Sequence, residues 1–429
     1  MRSTDELSAW VRDARRRTLE LVADLDAGQL LGPRLPIVNP LGWEIGHVAW
    51  FQERWALRHA AGRPPLRADG DSLWDSSAVP HDARWDLPLP DRDGTLAYLR
   101  EVEESVLALL RDRPTGPVRY FTRYTVHHED MHDEAFACTR QTLGYPAPTV
   151  SASPRPEGVD AGPWPGDAAV PGGAFRLGAE EDDPFVFDNE KWAHAVEVAP
   201  FRIARAAVTA GEFAAFVEDG GYSRRAVWSE RGWAWREESA ALHPVHWRRA
   251  DDGWERRDFD AWVPLEHDRP VIHVSAYEAE AFCAWAGRRL PTEAEWEMAA
   301  ATAPGRGGLD PSRRRFPWGA EEPTPERANL DGRGGGCLDV AALPQGDSAW
   351  GCRQMIGNVW EWTASDFLPY PGFVADAYRD YSAPWFGTHR VLRGGCWQTR
   401  SRLLRNTWRN FCTPDRRDVW AGFRTCARA

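Results

Sequence analysis

His128 and His132 stand four residues apart in the run His128-Glu129-Asp130-Met131-His132-Asp133-Glu134. On an α-helix, residues i and i+4 differ by only about 40° in azimuth, so both imidazoles leave one face and can share a metal ion. Glu134 is rotated by roughly 240° from His128, which makes it a carboxylate supporting the ligands from behind and not a ligand itself. Glu129 and Asp130 read as solvated. A third histidine, His47, lies in a stretch with Trp43, Trp50 and Phe51 whose spacing turns it toward a helical interior. A lone histidine among aromatics is commonly a satisfied core residue, but bundle interiors are also where facing helices assemble metal sites.

The elements that must position these side chains are helical. Apolar residues recur at helical spacing in Leu7 to Leu25, Leu41 to Leu57, Thr95 to Leu110 and Arg119 to Thr142, which predicts four long helices and a bundle. Asn39 followed by Pro40 reads as the N-cap and first residue of the second helix. From Pro146 to Gly173 the chain carries seven prolines among Ala, Gly and Ser, a composition that opposes regular structure. The division is therefore a helical domain over 1–150, a Pro-rich linker over 151–170 and a second domain over 171–429. That domain shows strand-like runs at Phe175 to Leu177, His194 to Ile203 and Val391 to Leu392, and helices at Ala210 to Glu218 and Ala276 to Ala286. The expected fold class is a multidomain α plus α+β chain.

With 429 residues the chain exceeds one ordinary core. No apolar run approaches the roughly 20 residues that cross a bilayer, and Met1 to Arg17 lacks the apolar core of a secretory signal, so a cytoplasmic protein without membrane partners is expected. Seven cysteines without CxxC spacing fit reduced thiols. A net charge of −12 disfavours nucleic acid, and Arg313-Arg314-Arg315 reads as a solvated loop. The 24 tryptophans exceed what packing alone needs, and their rings can hold cations.

The second domain carries Arg289-Leu290-Pro291-Thr292-Glu293-Ala294-Glu295-Trp296-Glu297, Phe316-Pro317-Trp318-Gly319, Gly357-Asn358-Val359-Trp360-Glu361-Trp362, Leu392-Arg393-Gly394-Gly395 and Ala421-Gly422-Phe423-Arg424. In this order they resemble the sulfatase-modifying-factor, or formylglycine-generating-enzyme, fold, a C-type-lectin-like architecture. The first domain resembles a DinB-like four-helix bundle, and the pair together resembles the ergothioneine-type sulfoxide synthases over nearly the whole chain. The resemblance implies an oxidoreductase that uses non-heme Fe(II), with O2 as co-substrate, to join a sulfur donor to C2 of the imidazole of hercynine, the trimethylated betaine of histidine. It implies His47, His128 and His132 as iron ligands, with Glu134 closing the motif. Three imidazoles alone suit iron, zinc or copper, so iron comes from the resemblance. Formylglycine generation is disfavoured, because its two cysteines correspond here to Thr399 and Leu404. A binding-only lectin-like module would not need the three histidines.

The resemblance also assigns Tyr378, in Tyr378-Arg379-Asp380-Tyr381, as acid or hydrogen donor near the iron, and Tyr381 as a hercynine contact. Asn410 and Phe411 of Arg409-Asn410-Phe411 would line the hercynine site, an aromatic face suiting a trimethylammonium. Trp360, Glu361 and Trp362 read as fold structure. The departures concern the donor. Mycobacterial-type enzymes bind γ-glutamylcysteine with two arginines ahead of a Leu-Pro-Leu segment and an acid after the Arg-Asn-Trp segment. Here the first arginine is His81, Arg84 is kept, the acid is Cys412, and Met131 replaces a glutamine between the ligating histidines. This pattern, with Trp74-Asp75-Ser76-Ser77, is similar to the selenoneine synthase branch, which couples hercynine with a selenosugar. Cysteine- or γ-glutamylcysteine-using synthases of the ergothioneine or ovothiol kind are the alternative.

Overall fold

The computed structural model describes residues 3–112, 114–151, 160–306, 308–310 and 312–428. The chain divides into two compact units: Met1–Ser151 with Asp258–Ala261, and Ala152–Arg257 with Trp262–Ala429. Of the expected linker, residues 152–159 lie outside the described residues. Asp167–Val170 is not irregular but a strand, because Ala168 and Val170 alternate into the core of the second unit.

Four long helices build the first unit: α1 (Thr4–Val22), α2 (Leu41–Gln52), α3 (Arg92–Arg111) and α4 (Gly116–Leu143). Their starts are set by caps. Ser3, Asp91 and Thr115 each accept a backbone N–H of the first turn, which begins α1, α3 and α4 about one turn before the apolar pattern does. Asn39 does not cap α2; the helix starts after Pro40 without a side-chain cap, and the Asn39 Oδ1 accepts from Arg84 Nη1 at 2.6 Å. Beyond Gln52, α2 runs on as a π-helical stretch, Glu53–His59. Leu7, Val11 and Ala14 of α1 meet Val106 and Leu110 of α3 and Val126 of α4 in one apolar cluster.

Glu129 and Asp130 are buried, against the expectation of solvated acids. The 28-residue α4 is covered on both sides, so the face away from the histidines meets α1 instead of water. There Arg15 Nε donates to Glu129 at 2.7 Å, and Thr18 Oγ1 lies 3.0 Å from Glu129 and 2.7 Å from Asp133.

In the second unit, Asp167–Val170, Phe201–Ala204, Cys426–Ala427 and Arg288–Arg289 form one four-stranded sheet. A second sheet orders Asn410–Cys412, Arg390–Arg393, Trp360–Asp366 and Ala421–Gly422. The run expected as one strand from His194 to Ile203 is two, His194–Val198 and Phe201–Ala204, in different sheets. Pro200 between them has no N–H for a ladder. Helices Ala210–Glu218, Glu230–Glu238, Ala276–Trp285 and Glu293–Ala301 complete the α+β arrangement.

The sequence motifs of this unit are its buried ion pairs. Arg393 meets Glu297, Arg409 Nε meets Glu293 at 2.7 Å, and Arg424 Nε meets Glu361 at 2.6 Å while Trp296 Nε1 donates to the same carboxylate at 2.7 Å. Each guanidinium is at most 1 % exposed, so loss of either partner leaves a buried charge uncompensated. Trp360, Glu361 and Trp362 are buried fold residues, as their motif suggested.

Candidate metal centre

α2 delivers His47 and α4 delivers His128 and His132 to one point. One ring nitrogen from each of the three lies within 4.8 Å of the others. The centroids of His47 are 5.1 Å from His128 and 5.0 Å from His132. His128 Nε2 and His132 Nε2 are 3.2 Å apart. Two nitrogens bound to one ion at about 2.1 Å in adjacent positions sit about 3.0–3.4 Å apart, so this spacing already fits a shared ion.

The chain fixes which nitrogen faces the centre. His47 Nδ1 donates to the Trp74 carbonyl at 2.8 Å, and His132 Nδ1 lies 2.6 Å from Glu44 Oε1, leaving Nε2 of each ring for a metal. His128 Nδ1 is buried without a hydrogen-bond partner among the described residues; its ring stacks on Phe51 at 3.6 Å and 8°. Burial first, then the neighbouring His132, pushes the His47 and His128 imidazoles well below the usual histidine range. Both are neutral at physiological pH and present lone pairs, the state a metal needs. The set suits a borderline divalent ion of the iron, zinc or copper kind.

Close approach to α2 depends on one glycine. A Cβ on Gly46 would fall 2.2 Å from Trp74 Nε1, so only glycine lets the Trp74 indole lie against the helix and its carbonyl reach His47. Trp43 stacks on the other side of His47 at 4.9 Å and 11°, and the Arg84 guanidinium covers Trp43 at 4.1 Å. Arg84 Nη1 donates to Asn39 and Nη2 makes long contacts of 3.4 Å to the carbonyls of Ser76 and Val79. His81 Nε2 lies 2.8 Å from the Val38 carbonyl, and its Nδ1 lies 3.1 Å from Asp82. Met131 and Glu134 are half-buried on α4.

Within the second unit, Tyr381, Asn410, Phe411 and Cys412 gather around the strand Asn410–Cys412. The Tyr381 ring stacks on Phe187 at 4.7 Å and stands 6.2 Å from Phe411, which itself stacks on Phe367 at 4.1 Å and meets His389 at 5.7 Å. Burial pushes the Tyr381 hydroxyl pKa up, keeping it protonated. The Asn410 Oδ1 accepts from Phe411 N at 2.8 Å, and Cys412 is half-buried opposite Arg390. Tyr378 begins the turn Arg379–Tyr381, on a loop clasped at both sides: Lys191 to Asp376 at 2.6 Å, and Ser382 to Asp188 at 2.5 Å. Thr399 and Leu404 are buried, Thr399 Oγ1 accepting from Cys396 N at 2.9 Å.

Sequence reasoning missed Glu44, the Trp74 carbonyl and Phe51. Glu44 had a signal, since it lies three residues before His47 and so on the same helical face. The Trp74 carbonyl had none, because a backbone acceptor carries no residue signature.

Residues 11–135 match the model of the DinB superfamily, and residues 153–429 that of the sulfatase-modifying factor enzyme 1-like domain. The chain is 40 % identical over 428 residues to the hercynine oxygenase of Mycobacterium tuberculosis, covering 99 % of each protein. It is 39 % identical over 423 residues to that of Mycolicibacterium smegmatis, covering 96 % of each. With the formylglycine-generating enzyme of Thermomonospora curvata it shares 36 % identity over 295 residues, 61 % of this chain and 93 % of that one. Since the likeness to the oxygenases runs through both the histidine-bearing bundle and the α+β domain, the chain belongs to the hercynine oxygenase family of oxidoreductases.

Proposed function

We propose that this chain joins a thiol or selenol donor to C2 of the imidazole ring of hercynine, with Fe(II) on His47, His128 and His132 and O2 as oxidant. The observation that carries the reading is the convergence of three imidazoles in a chain that runs end to end alongside hercynine oxygenases. Iron at this position supplies the redox chemistry by which O2 oxidises the two substrates. In the sulfoxide form the balance closes: the donor S–H and the ring C2–H are lost, C–S and S–O bonds form, and O2 accepts four electrons to give the sulfoxide oxygen and one water.

The chain's own residues bind and orient. In this reading Tyr378 is the hydrogen donor, and the clasp at Asp376 and Ser382 fixes its place. Tyr381 and Phe411 offer aromatic faces to the trimethylammonium, which cannot donate a hydrogen bond, and Asn410 offers amide hydrogens to the carboxylate.

The donor is read first as a thiol, cysteine or γ-glutamylcysteine, in ergothioneine biosynthesis. A selenosugar, in selenoneine biosynthesis, is the second reading. One observation favours an uncharged donor: Arg84 is engaged by Asn39 and Trp43 and His81 by the Val38 carbonyl, so neither is poised for a dipeptide carboxylate. The test is mass spectrometry of aerobic, Fe(II)-loaded reactions with hercynine and cysteine, γ-glutamylcysteine, a thiosugar and a selenosugar in competition. A sulfoxide from cysteine or the dipeptide establishes the first reading. Product from the selenosugar alone establishes the second, and no hercynine adduct from any donor refutes both.

A further inference from the structure

We infer that Glu44 is a positioning residue for the metal, setting the ring plane and basicity of His132 and making the three imidazoles unequal donors. Three different things stand behind the three rings. His132 Nδ1 faces a carboxylate at 2.6 Å, His47 Nδ1 faces a backbone carbonyl at 2.8 Å, and His128 Nδ1 is buried without a hydrogen-bond partner among the described residues. A hydrogen bond to an ionised acceptor is roughly twice as strong as one between neutral groups, and it draws the Nδ1 proton away, enriching Nε2 as a lone-pair donor. Glu44 is 1 % exposed, so water does not weaken this pull. His132 is therefore the strongest donor of the three, His47 intermediate, and His128, whose Nδ1 meets no acceptor among the described residues, the weakest.

The same bond locks two helices together. Glu44 and His47 lie three apart on α2, so α2 contributes one ligand and also aims a ligand belonging to α4. The carboxylate behind His132 thus comes from α2, through Glu44.

This inference rests on the reading that the three histidines hold a metal, and the experiment separates the two. Co(II), whose visible bands report its ligand field, is titrated into the metal-free full-length chain as wild type, Glu44→Gln, Glu44→Ala and His132→Ala, with circular dichroism to check the fold. Glu44→Ala is expected to weaken Co(II) binding 10–100-fold and to shift the visible bands. Glu44→Gln keeps the shape and an amide acceptor without the charge, so a smaller loss in the same direction is expected; it also decides the matter should the alanine variant fail to fold. Wild-type affinity and unchanged bands in Glu44→Gln or in folded Glu44→Ala overturn the role of Glu44. No Co(II) uptake by the wild type, or undiminished uptake by His132→Ala, overturns the metal reading and the inference with it.

Discussion

His128 and His132 can share an ion only while both are neutral, and burial secures that for His128. Replacing either with Ala is expected to abolish Fe(II) retention and turnover, measured by iron content after desalting and by product formation; full activity in either variant contradicts the site. Tyr378→Phe should leave iron content unchanged but divert turnover toward oxidation of the donor, read as the ratio of hercynine adduct to oxidised donor. A second pair of buried histidines predicts acid sensitivity. The rings of His246 and His273 meet at 4.7 Å, and burial, the largest cause for each, brings His246 down to about 2 and His273 down to about 4. Unfolding restores values of about 6.5, so the unfolded chain binds more protons below that pH and stability falls as pH drops. The loss begins near pH 6.5, with a slope of about 1.4 kcal/mol per pH unit for each group. His273 stops adding to it below about 4, and His246 continues to about 2. Denaturant unfolding across pH 4–7 should show a shallower slope in a His246→Gln, His273→Gln variant than in the wild type.

At the scale of elements, Gly46 is the tightest point of the centre. Gly46→Ala should destabilise the fold by about 1–3 kcal/mol through overpacking and also weaken metal binding, because α2 or Trp74 must move and the carbonyl behind His47 moves with it. Calorimetry with and without metal checks both effects; an alanine variant as stable as the wild type and equal in metal affinity contradicts the argument. The helices and their histidines were legible because periodicity and the four-residue spacing are local signals. Glu44 went unread although it shares a helical face with His47, since its partner lies 88 residues on. Helix Glu293–Ala301 went unread although Thr292 and Glu295 form a capping box, a two-residue signature hidden inside a motif read for its resemblance. Glu129 was misread for a related reason: its partners Arg15 and Thr18 belong to α1, far away in sequence.

At the scale of the molecule, the domain order and fold class followed from composition and motifs, while the boundary strand Asp167–Val170 was hidden by its proline-rich setting. None of the helices among the described residues is long and apolar enough to cross a membrane. Metal removal should lower the melting temperature, since a ligand at 100 times its Kd adds about 2.7 kcal/mol to the stability of the folded state. The face of α4 opposite the histidines has a further consequence. Arg15 and Thr18 both bond to Glu129, and Thr18 also reaches Asp133, so rotating α4 or sliding it by a residue would strand these carboxyl groups in the interior. The helix is keyed like a shaft in a slot, and the key does not involve the metal. Amide hydrogens of Glu129 to Asp133 should then be among the slowest to exchange even in metal-free protein, so that ions come and go from a cradle that keeps its shape.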